Sequence, residues 1–265
     1  MKKIYDDENE IIEFFQSLQS LEILLLPENN DEIESICLSV HDKDCWLKWI
    51  DSSRKDAPPP DFYCEELRLM MDVMRVDDHG RIGENGKSII NPTLQRESEV
   101  MRDLKNRGIL DKFPNVPIHL RVETGLPTDE DHNYIFYRDS FLRTVKSHID
   151  KIKKYQLNHP GFKTVFFIFD ESSFYFESAH DNIRKSKGAI IQGAFHLWFF
   201  DKAFINIFTD SPVDYVIWFS PYKHCKVFDE NGKNIAFPKA VVYDAKTFLN
   251  YGREYNIKRM VSSEL

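Results

Sequence analysis

The chain has 265 residues, 42% of them hydrophobic and 14% aromatic, which suffices for a sizeable core. Its 43 acids against 35 bases give a formal charge of -8 and a pI near 5.6, which excludes a protein held on nucleic acid mainly by bulk charge. No apolar run approaches the roughly 18 residues of a membrane span, and Met1-Lys2-Lys3-Ile4-Tyr5 runs into acids at Asp6 with no signal core, so the expectation is a cytoplasmic protein without a membrane partner.

In chain order, Ile11, Ile12, Phe14, Phe15 and Leu18 give Glu8 to Leu18 helical periodicity, and Leu21 to Leu26 reads as a short strand ended by Pro27. A strand is expected at Ile36 to Val40 and a short helix around Cys45 to Ile50. Pro58-Pro59-Pro60 stiffens the approach to Asp61. Leu69 to Val76 is an apolar strand interrupted by Asp72. After a polar, glycine-rich loop from Asp77, Asn91-Pro92 opens a helix to about Asn106, stopped by Gly108.

Ile118 to Val122 then reads as a strand ending in Glu123, Tyr137 to Gln156 as a long helix, and Thr164 to Phe169 as a strand ending in Asp170-Glu171. The crossover expected is the Asp72 strand, the Pro92 helix and the Ile118 strand. Beyond Ser172 the pattern turns aromatic, through Phe174 to Phe176, Phe195 to Phe200 and Tyr215 to Phe219, which reads as core. Asn231-Gly232 between Val227-Phe228 and Ile235 to Phe237 signals a hairpin. The fold class expected is α/β: a central mixed sheet with flanking helices, a nuclease-like core over about 55–125 and aromatic-rich strands in an extension over about 172–265, all in one compact domain of residues 1–265.

The chemistry centres on Pro60-Asp61 and on Asp72, after ten intervening residues. A carboxylate inside an apolar strand costs several kcal/mol unless it is paired, solvated or bound to a metal. Two such acids converging are how a hard cation such as Mg²⁺ (or Mn²⁺) is held, with water and phosphate completing its shell. The arrangement resembles the core of the PD-(D/E)xK nuclease superfamily, with Pro60-Asp61 as the PD element and Asp72 as the second acid. The resemblance implies metal-dependent phosphodiester hydrolysis, with Asp61 and Asp72 as ligands and water as nucleophile. The superfamily lysine falls at Met74 here. Arg75 points to the opposite strand face, so the base would have to come from elsewhere, with Lys87 as the candidate and Glu97 or Glu99 as extra acids. A second class stays open: an inactive nuclease-like scaffold that binds a protein partner. Nucleic acid and protein are the partners these two readings name.

Other patterns offer less. Val241 to Lys246 ends in acid-x-lysine, so Asp244 and Lys246, with Asp229 across the hairpin, form an alternative site. Val165 to Glu171 looks like an acidic nucleotide-hydrolase strand, but Gly83 to Ser88 has two residues between its glycines where a phosphate loop needs four. Glu123 and Asp170-Glu171 could reach the carboxyl edge of a parallel sheet, or simply solvate its rim. The basic strips at Arg143 to Lys154 and Arg184 to Lys187 read as solvated faces. Cys37, Cys45, Cys64 and Cys225 lack paired or zinc-knuckle spacing and read as free thiols, and His196 and His224 as structural histidines.

Overall fold

The computed structural model describes residues 7–52, 60–82, 89–90, 92–112, 132–181, 192–223, 227–228, 234–235, 237–247 and 251–263. The helices are α1 (Glu8–Gln16), α2 (Asp31–His41), α3 (Lys43–Trp46), α4 (Pro92–Asn106), α5 (Ile109–Lys112), α6 (Tyr134–Asn158) and α7 (Lys202–Ile205). The first seven strands are β1 (Ile23–Leu26), β2 (Ile50–Asp51), β3 (Phe62–Cys64), β4 (Leu69–Val76), β5 (Arg81–Ile82), β6 (Ile89–Ile90) and β7 (Lys163–Asp170). The rest are β8 (Tyr175–Ser178), β9 (Gly193–Phe195), β10 (Tyr215–Phe219), β11 (Val227–Phe228), β12 (Asn234–Ile235), β13 (Ala240–Asp244) and β14 (Met260–Ser262).

Seven strands form a mixed central sheet in the order β1-β13-β10-β7-β4-β3-β2. Its middle, β4, β7 and β10, is parallel, while β13 runs against β10 and β3 against β4. Such a core is shielded on both faces, and β10 and the run from Val165 to Phe169 in β7 are apolar throughout, as strands covered twice must be. Alternation sorts the side chains. Met71, Val73, Val165, Phe167 and Ile217 pack under α1 and α2, whereas Met70, Met74, Phe166, Ile168 and Trp218 pack under α6. A smaller sheet, β14-β8-β9, adds aromatic rings beside the α6 layer.

The strand expected at Ile36 to Val40 is instead the second half of α2. Asn30 caps it by accepting from the N–H groups of Glu32 and Ile33, three acids occupy its first turn, and Ile33, Ile36, Cys37 and Val40 make one buried stripe at helical spacing. That stripe outweighs the local apolar run. The crossover also differs from expectation: the parallel neighbour of β4 is β7, and the helix packed on β4 is α6. The structured surroundings of Asp72 therefore extend well past residue 125, and the expected strand at 118–122 lies outside the described residues. The helix from Pro92 to Asn106 is present, with Gly108 left-handed just beyond it at φ +64. β11 and β12 pair antiparallel around Asn231-Gly232, as a hairpin requires.

Candidate functional site

Register explains how Asp61 meets Asp72. β3 pairs with β4 only from Cys64↔Leu69 to Phe62↔Met71, which places Asp61 directly across from Asp72 at the point where the ladder stops. The Asp61 carboxylate takes over the next ladder position, its Oδ2 accepting from the Val73 N–H at 2.7 Å. Its backbone is pinned from β2's side: the Ser52 N–H donates to the Asp61 carbonyl at 2.8 Å and the Ser52 hydroxyl to the Pro60 carbonyl at 2.5 Å. Asp72 is 3% exposed and points to the α6 face, where Nδ1 of His148 contacts its Oδ2 and the Tyr155 hydroxyl also reaches it.

The two carboxyls are close enough to act on one another's charge. Burial, then the Asp72 charge, pushes Asp61 up to about 8 against the Val73 N–H, and Glu8 in the first turn of α1 adds further negative charge. Beyond Met71 no described strand pairs with this edge of β4. A cleft of about 320 Å³ opens there, lined by Glu8, Ile11, Val73, Met74, Arg75, Thr144 and His148. A buried carboxyl and a half-buried one beside an open strand edge can take a hard dication in place of a proton.

The other residues expected at the site go elsewhere. Met74 is buried in the α6-side core, and Arg75, on the opposite face, pairs with Glu171 at 2.7 Å. Glu99 is exposed and pairs with Arg96 at 2.9 Å. Lys87, Asp229, Glu123 and the side chain of Glu97 lie outside the described residues. Asp244 accepts from the backbone N–H groups of Lys246 and Thr247, while Lys246 reaches Asp214 at 2.9 Å. Thus the described part of the alternative site does not bring Asp244 and the Lys246 ammonium onto one another. Cys37, Cys45 and Cys64 are free thiols.

A second polar region fills the carboxyl edge of the parallel strands. Asp170, fully buried at the end of β7, accepts from the Tyr137 hydroxyl at 2.5 Å, Trp218 Nε1 at 2.9 Å and the Ser172 N–H at 2.9 Å. Lys223 Nζ lies 3.3 Å from Asp170, over the rings of Tyr137 and Trp198, and burial lowers its pKa. Asp201 is matched likewise, by the Tyr134 hydroxyl, His196 Nε2 and the Ala203 N–H. Beside them Asp78, His79 and His132 place three groups that could hold a metal ion within 4.8 Å of one another.

The sequence reading missed Glu8, His148, Tyr155 and the Asp78 cluster. One signal was present. Along α6 the buried stripe runs Phe141, Val145, Ile152, Tyr155, and His148 occupies the step between Val145 and Ile152 where an apolar residue belongs. No protein-family model, curated protein or solved structure matches the chain. The functional reading therefore rests on the chain's own geometry.

Proposed function

We propose that the protein hydrolyses phosphodiester bonds in nucleic acid, with Asp61 and Asp72 holding a Mg²⁺ or Mn²⁺ ion at the open edge of β4. The observation that carries this is the close approach of two carboxyls, one buried at 3% exposure, whose charges oppose one another. A fold has no use for that repulsion, whereas a dication relieves it. When bound, such an ion supplies Lewis acidity at the phosphoryl group and a more acidic water.

The chain's own residues divide the remaining work. Val73 N–H and the Ser52 contacts fix where Asp61 points, and Tyr155 and His148 fix Asp72. With Nδ1 engaged by Asp72, His148 presents Nε2 as the ring nitrogen for proton transfer on the cleft it lines, the role that Met74 cannot fill. Glu8, entering from α1 on the far wall, adds negative charge that favours a cation.

The test is cleavage of labelled single- and double-stranded DNA and RNA with Mg²⁺ or Mn²⁺, beside Asp72→Asn and His148→Gln. Metal-dependent cleavage that disappears with Asp72→Asn and falls by roughly 10²–10⁴-fold with His148→Gln supports the reading. The second reading, a scaffold that binds a protein partner, is supported by Met74, which is 3% exposed and packed in the core. Absence of cleavage of every substrate by the folded chain, together with absence of Mn²⁺ binding, would decide for the scaffold.

A further inference from the structure

We infer that Asp78, His79 and His132 form a second cation site, selective for a late first-row divalent ion of the Zn²⁺ kind, that clips the end of β4 to the start of α6. The backbone builds the site. His79 and His132 face each other as an antiparallel bridge, with ring centroids 4.5 Å apart, and the Asn133 N–H donates to the Asp78 carbonyl at 3.3 Å. The donor atoms of all three side chains lie within 4.8 Å of one another, close enough to converge on one ion.

Asp78 is oriented for this by its surroundings. Its Oδ2 accepts from the Ser173 N–H at 2.9 Å, the Ser173 hydroxyl at 2.6 Å and the Tyr175 hydroxyl at 2.6 Å. These donors fix the carboxylate so that Oδ1 faces the His132 ring, at 3.0 Å from Nδ1. Supporting hydrogen bonds of this kind are what hold a metal-ligating carboxylate in place. Next to the cluster in sequence is Asp77, on which the charges of His79, Asp78, Glu171 and Arg143 act.

Ligand type sets the ion. Two imidazoles and one carboxylate suit Zn²⁺, Co²⁺ or Ni²⁺, whereas Mg²⁺ takes oxygen ligands, as at Asp61 and Asp72. Three protein ligands leave a fourth position for water. His79 and His132 bracket the whole excursion between β4 and α6, so an ion shared by them closes that connection at its base.

The experiment is titration of the full-length chain with Co²⁺, read by visible d–d absorption, and with Zn²⁺, read by calorimetry and thermal melting. Wild type is compared with His79→Gln, His132→Gln and Asp72→Asn. The expected result is one Zn²⁺ equivalent that raises the melting temperature, weakened by roughly a hundredfold in each histidine variant, about one ligand's share of a structural zinc site, and unchanged in Asp72→Asn. Circular dichroism confirms that the variants are folded, and the glutamines keep a polar side chain in place. The proposal is overturned if wild type binds no Co²⁺ or Zn²⁺, if neither histidine change weakens binding, or if Asp72→Asn abolishes it. The last outcome would assign the ion to the Asp61–Asp72 site, while loss of nuclease activity alone would leave this site standing.

Discussion

Two groups of acids border α6, and they are built on opposite principles. At its N-terminal end, Tyr134 and Tyr137 donate to Asp201 and Asp170, and each of those carboxylates is surrounded by donors, with the Lys223 ammonium supplying the balancing charge for Asp170. About three to five turns further on, Asp72 meets His148 and Tyr155 but also a second carboxyl, Asp61, which has a single backbone N–H and a neighbour of its own sign. The first region is satisfied by the protein alone. The second sets two carboxyls against one another at an open strand edge, and under the proposed reading that opposition is what a bound cation would relieve. Buried polar groups are either matched or they are costly, so the costly ones mark where a ligand belongs.

This contrast predicts mutational effects of opposite sign. Lys223→Met leaves the fully buried Asp170 without its ion-pair partner and is expected to destabilise the fold by about 3–5 kcal/mol in urea denaturation. Changing Asp170→Asn in the same chain should recover part of that loss, because the uncompensated charge is gone. Asp61→Asn goes the other way: the amide oxygen can still accept from Val73, the repulsion with Asp72 disappears, and metal-free stability at pH 8 rises by about 2 kcal/mol. The same substitution removes Mn²⁺ binding. If Asp61→Asn instead destabilised the protein as Lys223→Met does, the two regions would be alike and the metal reading would fail.

The pH dependence sharpens the difference with no mutation. Because Asp61 titrates near 8 in the folded chain against about 4 when unfolded, the folded state holds a proton over that interval that the unfolded state has lost. Its contribution therefore makes stability decline as pH rises from about 4 towards 8, the reverse of an ion-paired acid. Wild type should show this slope between pH 5 and 8, and Asp61→Asn should lack it. Mn²⁺ competes with the same proton, so its affinity should increase through this range, with proton release visible by calorimetry in buffers of different ionisation enthalpy.

Much of this arrangement was legible in the sequence, and the part that was not has a physical reason. Asp72 announced itself because an acid within an apolar strand needs a cause, and the proline-aspartate before it supplied one. The helix from Pro92, the long helix under the sheet and the strands at 164–169 and 215–219 follow from local periodicity and caps. What failed was long-range or ambiguous. Ile36 to Val40 could be cut as a short strand until the stripe from Ile33 and the Asn30 cap were counted with it. β7 as the partner of β4, Lys223 beside Asp170 and Glu8 beside Asp61 are pairings across more than 50 residues that no spacing rule encodes. His148 was recoverable from its place in an apolar stripe, and His79 with His132 was not.

The mildest test asks whether an unmatched neutral group in the core behaves like Asp61 on a smaller scale. Thr164 sits on the α6 face of β7 at 1% exposure, beside Phe166 and Ile168 in the alternation. Its backbone is exchanged with Asp214, the N–H donating to Oδ2 at 2.8 Å and the carbonyl accepting from the Asp214 N–H at 3.0 Å, so main-chain pairing does not depend on the side chain. The hydroxyl Oγ1, by contrast, has no hydrogen-bond partner among the described residues. Thr164→Val exchanges that hydroxyl for a methyl of the same shape and keeps the β-branching that suits a strand. The expected result is a gain of about 1 kcal/mol in urea denaturation, with no change in metal binding or in the pH slope, because a neutral dipole carries only the desolvation cost and none of the charge. A loss of stability would mean that the core treats this hydroxyl as matched, and burial at Asp61 would then have to be separated from repulsion by comparing Asp61→Asn with Asp72→Asn.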